Sequence, residues 1–503
     1  MVDNHDEDSI KQSCTNLDPS DWADLRAQGH LMLDDMFDYL AQIRTRPVWQ
    51  PIPQTVRDSI KETMPAAPSS VAEVHAKFMQ SILPYCVGNA HPGFMGWVHG
   101  GGTAVGMLAD MLAAGLNANL GGRDQMPIEL EKQLVQWMRT LFDFPQTASG
   151  LFVTGTSMAN FISLLVARTA ALGTQVRTHG LAHNNTKLVA YCSTAAHDCI
   201  AQAMDMAGLG KSALHVIPVN ADFEMDTQAL QAQILRDRAS GFTPFFIAAT
   251  IGTVDVGAVD NLDGIANIAK TEGIWFHVDG AYGALAMLAK DIAPRLVGIQ
   301  RADSIAFDFH KWGQVPYDAG FVLIRDGELH QNTFASPTAY LSRNSRGMAA
   351  GSTWPCDLGP DLSRGFRALK TWFTIKVYGS EKIGQIISKS CELAQYLKMT
   401  IEQQPELELL APVALNIVCF RYRFAASSLA EINTLNSHLV AELQMSGMVA
   451  PSSTTINGNI AIRAAIVNHR TNHSDIDALI ETTLRFGKQL VIAHLSQPNR
   501  QDN

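Results

Sequence analysis

The sequence predicts an α/β protein whose large domain contains a mostly parallel sheet, with a helical segment before it and a small α+β domain after it. Between residues 150 and 326, apolar runs of strand length alternate with helical patterns, which is typical of a parallel sheet covered on both faces. Amphipathic helices without a core of their own precede this region, and a shorter alternation follows it. We therefore predict domains at residues 1–104, 105–379 and 380–503.

Composition narrows the class of protein. The 503 residues are 47% hydrophobic and 17% charged, which suits two or three globular domains with a sizeable core. The net charge of −10 argues against nucleic-acid binding, and no apolar run approaches the roughly 18 residues of a membrane span. The acidic first eight residues do not form a signal peptide, and the seven cysteines are scattered without a CxxC pair. We expect a cytoplasmic protein with no metal site.

Helices dominate the first part of the chain. Apolar residues at helical spacing predict a helix over 21–43, which three prolines end, and a second helix over 70–83. A glycine-rich loop at 91–102 ends in three consecutive glycines. This triplet indicates either close approach of the backbone to another group or a simple linker. Two further helices are predicted, over 103–116 and 127–142.

The alternating region and the C-terminal part supply the predicted sheets. Strands are predicted at 187–192, 214–218, 244–250, 275–279, 304–309 and 320–324, and helices at 158–171, 199–206, 226–237 and 261–272. An irregular segment, 327–362, has a length typical of a functional lid. After it we predict helices at 362–378, 383–402, 429–445 and 474–490, with strands at 414–422 and 459–467.

Two charged residues end successive strands of this region. Lys311 follows the apolar strand 304–309, although a buried ammonium group is costly, and Asp279 ends the strand before it. Ligands of such sheets lie outside the carboxyl ends of the strands, so both side chains can face one bound ring. A Schiff-base lysine with an aspartate partner for a pyridinium nitrogen is what pyridoxal phosphate (PLP) requires. A lysine whose amine simply reaches water is the alternative for Lys311 alone.

The motifs His277-Val-Asp-Gly-Ala-Tyr282 and His310-Lys311-Trp312 resemble the group II PLP-dependent decarboxylases. This family includes the aromatic-L-amino-acid, histidine and glutamate decarboxylases, and the resemblance covers roughly residues 85–470. It implies PLP fold type I and decarboxylation of an L-amino acid to the amine and CO₂. It also implies a homodimer in which the N-terminal segment packs on the partner subunit.

The resemblance assigns residues to the cofactor ring. Lys311 carries the Schiff base, and Asp279 keeps the pyridine nitrogen protonated. His197 stacks over the ring and orients the substrate carboxylate, while the small Ala281 lies beneath the ring. A histidine after a strand is otherwise an ordinary surface or capping residue.

Further residues are assigned to the phosphate and its surroundings. Thr156 and Ser157, at the start of a predicted helix, match the phosphate ligands of the family, although a serine helix cap alone would give the same fragment. His310 is a further contact on the phosphate side, and Thr253 is a cofactor contact. Val254 stands where the family commonly has a second threonine, and Asp308 is a further departure from the family pattern.

One tyrosine in the irregular segment matches a family position. Tyr340 corresponds to a loop tyrosine that supports protonation of Cα, where phenylalanine favours aldehyde products; an ordinary loop aromatic is the alternative. Arg364 and Arg367 fit a family helix and are given structural or loop-anchoring roles. Arg463 also matches a family position, and its role stays open.

The predicted substrate pocket contains Trp97, Val98, His99 and Asn119. A large flat indole favours aromatic substrates, namely tryptophan, 5-hydroxytryptophan, tyrosine, DOPA or phenylalanine. His99 and Asn119 would serve instead as polar contacts for an acidic or diamino acid such as aspartate, glutamate or 2,4-diaminobutyrate. Another reaction of PLP fold type I is a third alternative.

Overall fold

The computed structural model of the chain describes residues 16–182, 185–336, 343–351, 353–424 and 428–495. The chain forms two compact units. The first contains the described residues of 1–43 and 52–86, and the second contains those of 44–51 and 87–503. The predicted domain boundaries at residues 104 and 379 both fall inside the second unit and stay predictions. Among the described residues, no helix is long and apolar enough to cross a membrane.

The first unit is helical, as its apolar spacing predicted. Its helices are α1 (Trp22–Ala41), α2 (Gln54–Ser59) and α3 (Val71–Ser81). Asp21 caps α1 by accepting hydrogen bonds from two backbone N–H groups, and Ser70 forms a capping box with Glu73 at the start of α3. No residue of α1 is buried, so its apolar side chains lack a core.

The second unit contains the remaining helices. They are α4 (Ala104–Leu116), α5 (Met126–Leu141), α6 (Thr156–Leu172), α7 (Val176–His179), α8 (Cys199–Met206), α9 (Thr227–Ala239), α10 (Leu262–Glu272), α11 (Gly327–Phe334), α12 (Arg367–Tyr378), α13 (Ser380–Glu402), α14 (Leu429–Met445) and α15 (His473–Leu495). The eight residues of α11 correct the prediction of an irregular segment from residue 327, and α12 begins five residues later than predicted.

Two sheets form the framework of this unit. Their strands are β1 (Phe94–Met95), β2 (Ser149–Val153), β3 (Leu188–Ser193), β4 (Leu214–Ile217), β5 (Thr243–Thr250), β6 (Trp275–Asp279), β7 (Ser304–Asp308), β8 (Gly320–Ile324), β9 (Leu407–Leu409), β10 (Ile417–Tyr422), β11 (Ala450–Ile456) and β12 (Asn459–Ala465). The prediction lacked β1, β2, β9 and β11.

The larger sheet has the strand order β2-β8-β7-β6-β5-β3-β4. Strands β4, β3, β5, β6 and β7 run parallel, whereas β8 is antiparallel to both neighbours, so the predicted mostly parallel sheet is confirmed. Every residue of β7 is buried, as expected for a strand covered on both faces. The parallel direction brings the carboxyl ends of β3, β5, β6 and β7 to one edge.

The smaller sheet has the order β1-β11-β12-β10-β9. Strand β1 pairs with β11 in parallel, and the other pairs are antiparallel. Helices α13, α14 and α15 pack their apolar faces on this sheet around buried residues such as Leu397, Leu439 and Leu479. Because β1 belongs to the glycine-rich loop, this pairing ties the loop to the C-terminal sheet.

Candidate active site

A cavity of about 610 Å³ lies at the carboxyl edge of the larger sheet. Most of the side chains that the sequence assigned to cofactor or substrate line it, although they come from distant parts of the chain. They are Trp97, Val98, His99, Thr156, Ser157, His197, Asp279, Ala281, His310 and Lys311. The parallel strands therefore bring together residues that the motifs left separate.

Two assigned residues, Thr253 and Asn119, do not line this cavity, and a third cannot be placed. The Thr253 hydroxyl accepts a hydrogen bond from the Ala258 N–H, at 2.9 Å, and so closes a turn. The Asn119 amide oxygen accepts from the backbone N–H groups of Gly121 and Arg364, at 2.9 and 3.0 Å. Tyr340 lies outside the described residues. The roles of all three stay predictions.

Lys311 is held at the cavity by a neighbouring carboxylate. Its Nζ lies 3.0 Å from Asp308 Oδ2, and its side chain is 22% exposed. Burial alone would lower the pKa of Lys311, but Asp308 and then Asp279 more than offset burial, so this pKa is raised. Without a ligand, the amine is therefore a cation held close to where the sequence places the cofactor aldehyde.

Asp279 lies at the end of β6, and each oxygen of its carboxylate accepts one hydrogen bond from an N–H group. Its Oδ2 accepts from Asn160 Nδ2 at 3.0 Å, and its Oδ1 accepts from the Ala281 N–H at 3.1 Å. Burial raises the pKa of Asp279, whereas Lys311 and the Asn160 hydrogen bond lower it. A buried carboxylate that lines the cavity suits a cationic ring nitrogen.

His310 is fixed in one tautomer. Its Nδ1 accepts the Ala319 N–H at 3.0 Å, and its ring packs on Tyr317 with centroids 4.2 Å apart. Burial lowers the pKa of His310, so the ring is neutral and carries its proton on Nε2. His310 Nε2 lies at the cavity wall, 3.5 Å from Asp308 Oδ2.

The start of α6 fits a phosphate group. Thr156 and Ser157 begin this 17-residue helix and line the cavity, so its amino-terminal dipole faces the cavity. The Thr156 hydroxyl is buried, and no partner for it occurs among the described residues. A buried hydroxyl without a partner is costly, and a phosphate oxygen would satisfy it.

The glycine triplet lies against the lysine. A Cβ on Gly100 would stand 2.4 Å from the Lys311 carbonyl oxygen and 2.5 Å from that of His310, so no larger residue fits there. The Gly100 N–H also donates to the His310 carbonyl at 3.2 Å. Of the two alternatives left open for the triplet, the structure shows close approach of the backbone, and the loop thereby fixes the backbone that bears Lys311.

Aromatic rings form one wall of the cavity. Trp97 stacks on His99 with centroids 5.9 Å apart, and His99 meets Tyr317 edge-on at 5.7 Å. The Trp97 side chain is 56% exposed even though it is large and apolar. Burial and then the Lys311 charge lower the pKa of His99, so this ring is neutral as well.

Arg463, whose role the sequence left open, joins three segments of this wall. Its guanidinium donates to the carbonyls of Trp97, Val254 and Asp255 at 2.9, 2.8 and 3.0 Å, and to the Ser452 hydroxyl at 3.3 Å. Trp97 has φ 48°, a left-handed conformation that is strained for tryptophan. The Arg463 and Ser452 contacts hold Trp97 in that conformation.

Several lining residues had no signal in the sequence analysis. Asp255 and Thr454 line the cavity, and Asn160 reaches Asp279 from α6. Asn160 lies in the fragment that suggested a phosphate site, so its position next to a helix start was visible. Its partner lies 119 positions away, and only the fold brings the two together.

These contacts fit PLP. Lys311 would hold the cofactor covalently, Asp279 would pair with its ring nitrogen, and Thr156, Ser157 and the α6 amino terminus would hold its phosphate. His197 and Ala281, both at the cavity, would bound the two faces of the ring. Bound PLP supplies an electron sink for bonds at the substrate Cα.

Comparisons with known proteins agree with this chemistry. A family model described as "Pyridoxal-dependent decarboxylase conserved domain" matches residues 53–423. The chain is 32% identical over 479 residues to the aromatic-L-amino-acid decarboxylase of Bacillus atrophaeus, covering 94% of this chain and 97% of that protein.

Two solved structures share the fold. "Oryza sativa TDC with PLP and tryptamine" has a TM-score of 0.87 at 23% identity, covering 94% of this chain and 100% of that one. A second, from Vibrio parahaemolyticus, is the glutamate decarboxylase domain of diaminobutyrate-pyruvate transaminase and L-2,4-diaminobutyrate decarboxylase. It has a TM-score of 0.82 at 24% identity, covering 94% and 97% of the two chains.

The predicted fold, cofactor and reaction class are therefore confirmed, whereas the roles of single residues rest on the geometry above. The family match covers most of the chain and includes Asp279 at the end of β6 and Lys311 in the turn after β7. The chain belongs to the pyridoxal-dependent decarboxylases, and it is a PLP-dependent enzyme that removes CO₂ from an amino acid.

Proposed function

We propose that the substrate is an aromatic L-amino acid and that the product is the corresponding amine. The observation that carries this proposal is the wall of Trp97, His99 and Tyr317, which offers flat surfaces to a planar side chain. The exposed face of Trp97 and the neighbouring Val98 supply apolar area. The relative from Bacillus atrophaeus, an aromatic-L-amino-acid decarboxylase, supports the same substrate class.

The charges of the cavity disfavour an acidic substrate. An aspartate or glutamate side chain needs a free cation, but Arg463 already donates to three backbone carbonyls and a hydroxyl. Lys311 and His99 do not supply this cation, because Lys311 binds the cofactor in this proposal and the His99 ring is neutral. Asp255 adds a carboxylate to the lining.

A diamino acid is the second candidate, and Asp255 is the observation that favours it. This carboxylate lines the cavity next to Thr454, whose hydroxyl donates to Asp255 Oδ1. A substrate ammonium could pair with it. The solved structure from Vibrio parahaemolyticus, whose name includes L-2,4-diaminobutyrate decarboxylase, supports keeping this candidate.

The chain's own groups have distinct tasks in the reaction. Lys311 would hold PLP covalently, and Asp308, at 3.0 Å, would pair with the Lys311 ammonium whenever this amine is not bound to the cofactor. Asp279 holds the ring nitrogen in its protonated form. His197, exposed at the cavity, orients the substrate carboxylate, and Tyr340 donates the proton that Cα needs once CO₂ has left.

The active form is a homodimer. Helix α4 carries a single charged residue, yet Met111, Leu112 and Leu116 on it are 54%, 47% and 63% exposed. In the first unit, α1 buries none of its residues. Exposed apolar surface on a helix is unfavourable in water, and association with a second copy of the chain buries it. Asn119, which follows α4, would then contribute to the partner's site.

We place the enzyme in the cytoplasm. The cysteines among the described residues, at 86, 192, 199, 356, 391 and 419, are free thiols. A reducing compartment keeps thiols in this form.

A substrate panel tests the assignment. The PLP-loaded enzyme is given tryptophan, tyrosine, DOPA, phenylalanine, 2,4-diaminobutyrate, aspartate and glutamate, and CO₂ release is measured with amine formation. We expect kcat/KM to be highest for an aromatic substrate and to fall for it in Trp97→Ala, since that change removes the flat surface. A preference for 2,4-diaminobutyrate that Asp255→Asn abolishes would overturn the aromatic assignment in favour of the second candidate.

A further inference from the structure

Behind Asp279, side chains from β6, β7 and α6 form an unbroken line of hydrogen bonds. The Trp275 indole N–H donates to Ser304 Oγ at 2.8 Å, and Ser304 Oγ lies 2.8 Å from His277 Nδ1. His277 Nε2 lies 2.8 Å from Asn160 Oδ1, and Asn160 Nδ2 donates to Asp279 Oδ2 at 3.0 Å. The line therefore runs from the far end of the strands to the carboxylate at the cavity.

The chemistry of its two ends fixes the direction of every bond. An ionised carboxylate only accepts, so the Asn160 amide must turn its N–H₂ to Asp279 and its oxygen to His277. His277 must then carry its proton on Nε2 and accept at Nδ1 from the Ser304 hydroxyl. The Ser304 oxygen is left to accept from the indole, which can only donate. Each group is satisfied in one arrangement.

The side chains in the middle of this line are buried, so the loss of any one of its hydrogen bonds is costly. Asn160, His277 and Ser304 are each 0% exposed, and an unmatched polar group there would be costly. Burial lowers the pKa of His277 to about 3, so the imidazole is neutral, as the line requires. Phe246 stacks on the His277 ring at 5.2 Å and holds its plane.

We infer that His277 and Asn160 are positioning residues that keep the Asp279 carboxylate ionised and aimed at the cofactor ring nitrogen. Asn160 donates one hydrogen bond to the carboxylate, and His277 prevents the Asn160 amide from flipping. Both act through Asp279 and do not touch the substrate.

The consequence is a specific pH dependence. Burial raises the pKa of Asp279, and the Asn160 hydrogen bond opposes that shift. The other ionisable groups near this carboxylate are Lys311 and His197, which favour its charge, and the Cys199 and Cys192 thiols. When the amide donor is removed, protonation of Asp279 begins at higher pH. A protonated Asp279 no longer pairs with a pyridinium, so PLP affinity falls as the pH is lowered.

The test measures PLP binding to cofactor-free protein between pH 5.5 and 8.5, by the quenching of protein fluorescence, in Asn160→Leu and His277→Phe. We expect both variants to fold, as circular dichroism reports, and to bind PLP about tenfold more weakly than the wild type near pH 6, with a smaller difference at pH 8.5. Ser163→Ala is the matched control, since Ser163 is a buried residue of α6 whose hydroxyl bonds only within the helix.

Two further variants separate positioning from packing. His277→Gln keeps one donor and one acceptor, and we expect it to recover part of the affinity that His277→Phe loses. In an Asp279→Asn background, Asn160→Leu should cause no further loss of PLP affinity, because the carboxylate on which it acts is gone.

Folded Asn160→Leu and His277→Phe proteins with the wild-type pH profile would overturn the inference, as would full additivity with Asp279→Asn. If His277→Phe does not fold, His277→Leu replaces it under the same criteria.

Discussion

At the scale of single residues, we propose that the ion pair of Lys311 with Asp308 governs the reaction of Lys311 with PLP. Only the neutral amine attacks the PLP aldehyde, and the pKa of Lys311 is raised because Asp308 and Asp279 outweigh burial. The neutral fraction increases as pH rises towards this raised pKa. The rate of PLP capture by cofactor-free enzyme should therefore increase with pH.

Asp308→Asn tests this relation. Removal of the carboxylate at 3.0 Å lowers the pKa of Lys311, so we expect capture at pH 7 to be faster than in the wild type, followed by stopped-flow absorbance. Asp318→Asn is the control, because Asp318 pairs with Arg367 and does not line the cavity. Capture that is slower in Asp308→Asn and independent of pH would show that the lysine is not governed by this pair.

Tyr340 is the residue proposed to decide the product. A phenol can supply a proton to Cα, whereas a phenyl ring cannot. We expect Tyr340→Phe to release CO₂ while the product shifts from the amine towards aldehyde, with uptake of dioxygen and formation of ammonia and peroxide. The measurement is the amine-to-aldehyde ratio in air, with peroxide assayed alongside. If the variant forms only amine at the wild-type rate, Tyr317 or His197 becomes the proton donor to test.

At the scale of elements, the helices and strands with regular apolar spacing were the ones that the sequence predicted. The apolar runs of β6 and β7 and the helices α8 and α14 were placed within a residue of their observed ends, since their apolar spacing is regular. Strand β2, five residues with a serine and a glycine, was missed because its identity depends on pairing with β8. The helix α11 was missed because its eight residues lack a clear apolar period.

The residues of the site also include some that local patterns predict and others that only the fold brings together. Asp279 was predictable because it ends a buried strand, and Lys311 because it closely follows the next one; parallel strands end at one edge of the sheet. The contacts of Asn160 with His277 and of Arg463 with Trp97 join residues 117 and 366 positions apart. Such pairs leave no trace in local patterning, so they became visible only in the folded chain.

Arg463 provides a prediction at this scale, since it connects the β12 strand with the glycine-rich loop and the turn after β5. Lysine offers a single ammonium and cannot reach three carbonyls as the guanidinium fork does. We expect Arg463→Lys to raise KM for an aromatic substrate about tenfold with a smaller effect on kcat, because the Trp97 wall loses its support.

Two variants control for this effect. Arg421→Lys lies on the adjacent strand β10, where Arg421 pairs with Glu408 outside the cavity, and it should leave KM unchanged. In a Trp97→Ala background, Arg463→Lys should add little to KM. Equal effects of Arg463→Lys with and without Trp97 would contradict a role through that ring.

At the scale of the whole molecule, the exposed apolar face of α4 predicts association of two copies. Sedimentation should show a dimer of the 54.7 kDa chain. Leu112→Glu, which places a charge on this face, should dissociate the dimer and reduce activity. Leu235→Glu is the control, because Leu235 is a similarly exposed apolar residue on α9. A wild-type monomer with full activity would rule out the dimer.

We propose that the cavity at the carboxyl edge of the larger sheet holds PLP through Lys311. This is tested by borohydride reduction of the PLP-loaded enzyme, followed by mass spectrometry of its peptides. We expect one phosphopyridoxyl group per chain, attached to Lys311, and none in Lys311→Ala. Stoichiometric labelling of a different lysine, or unchanged labelling in Lys311→Ala, would contradict it.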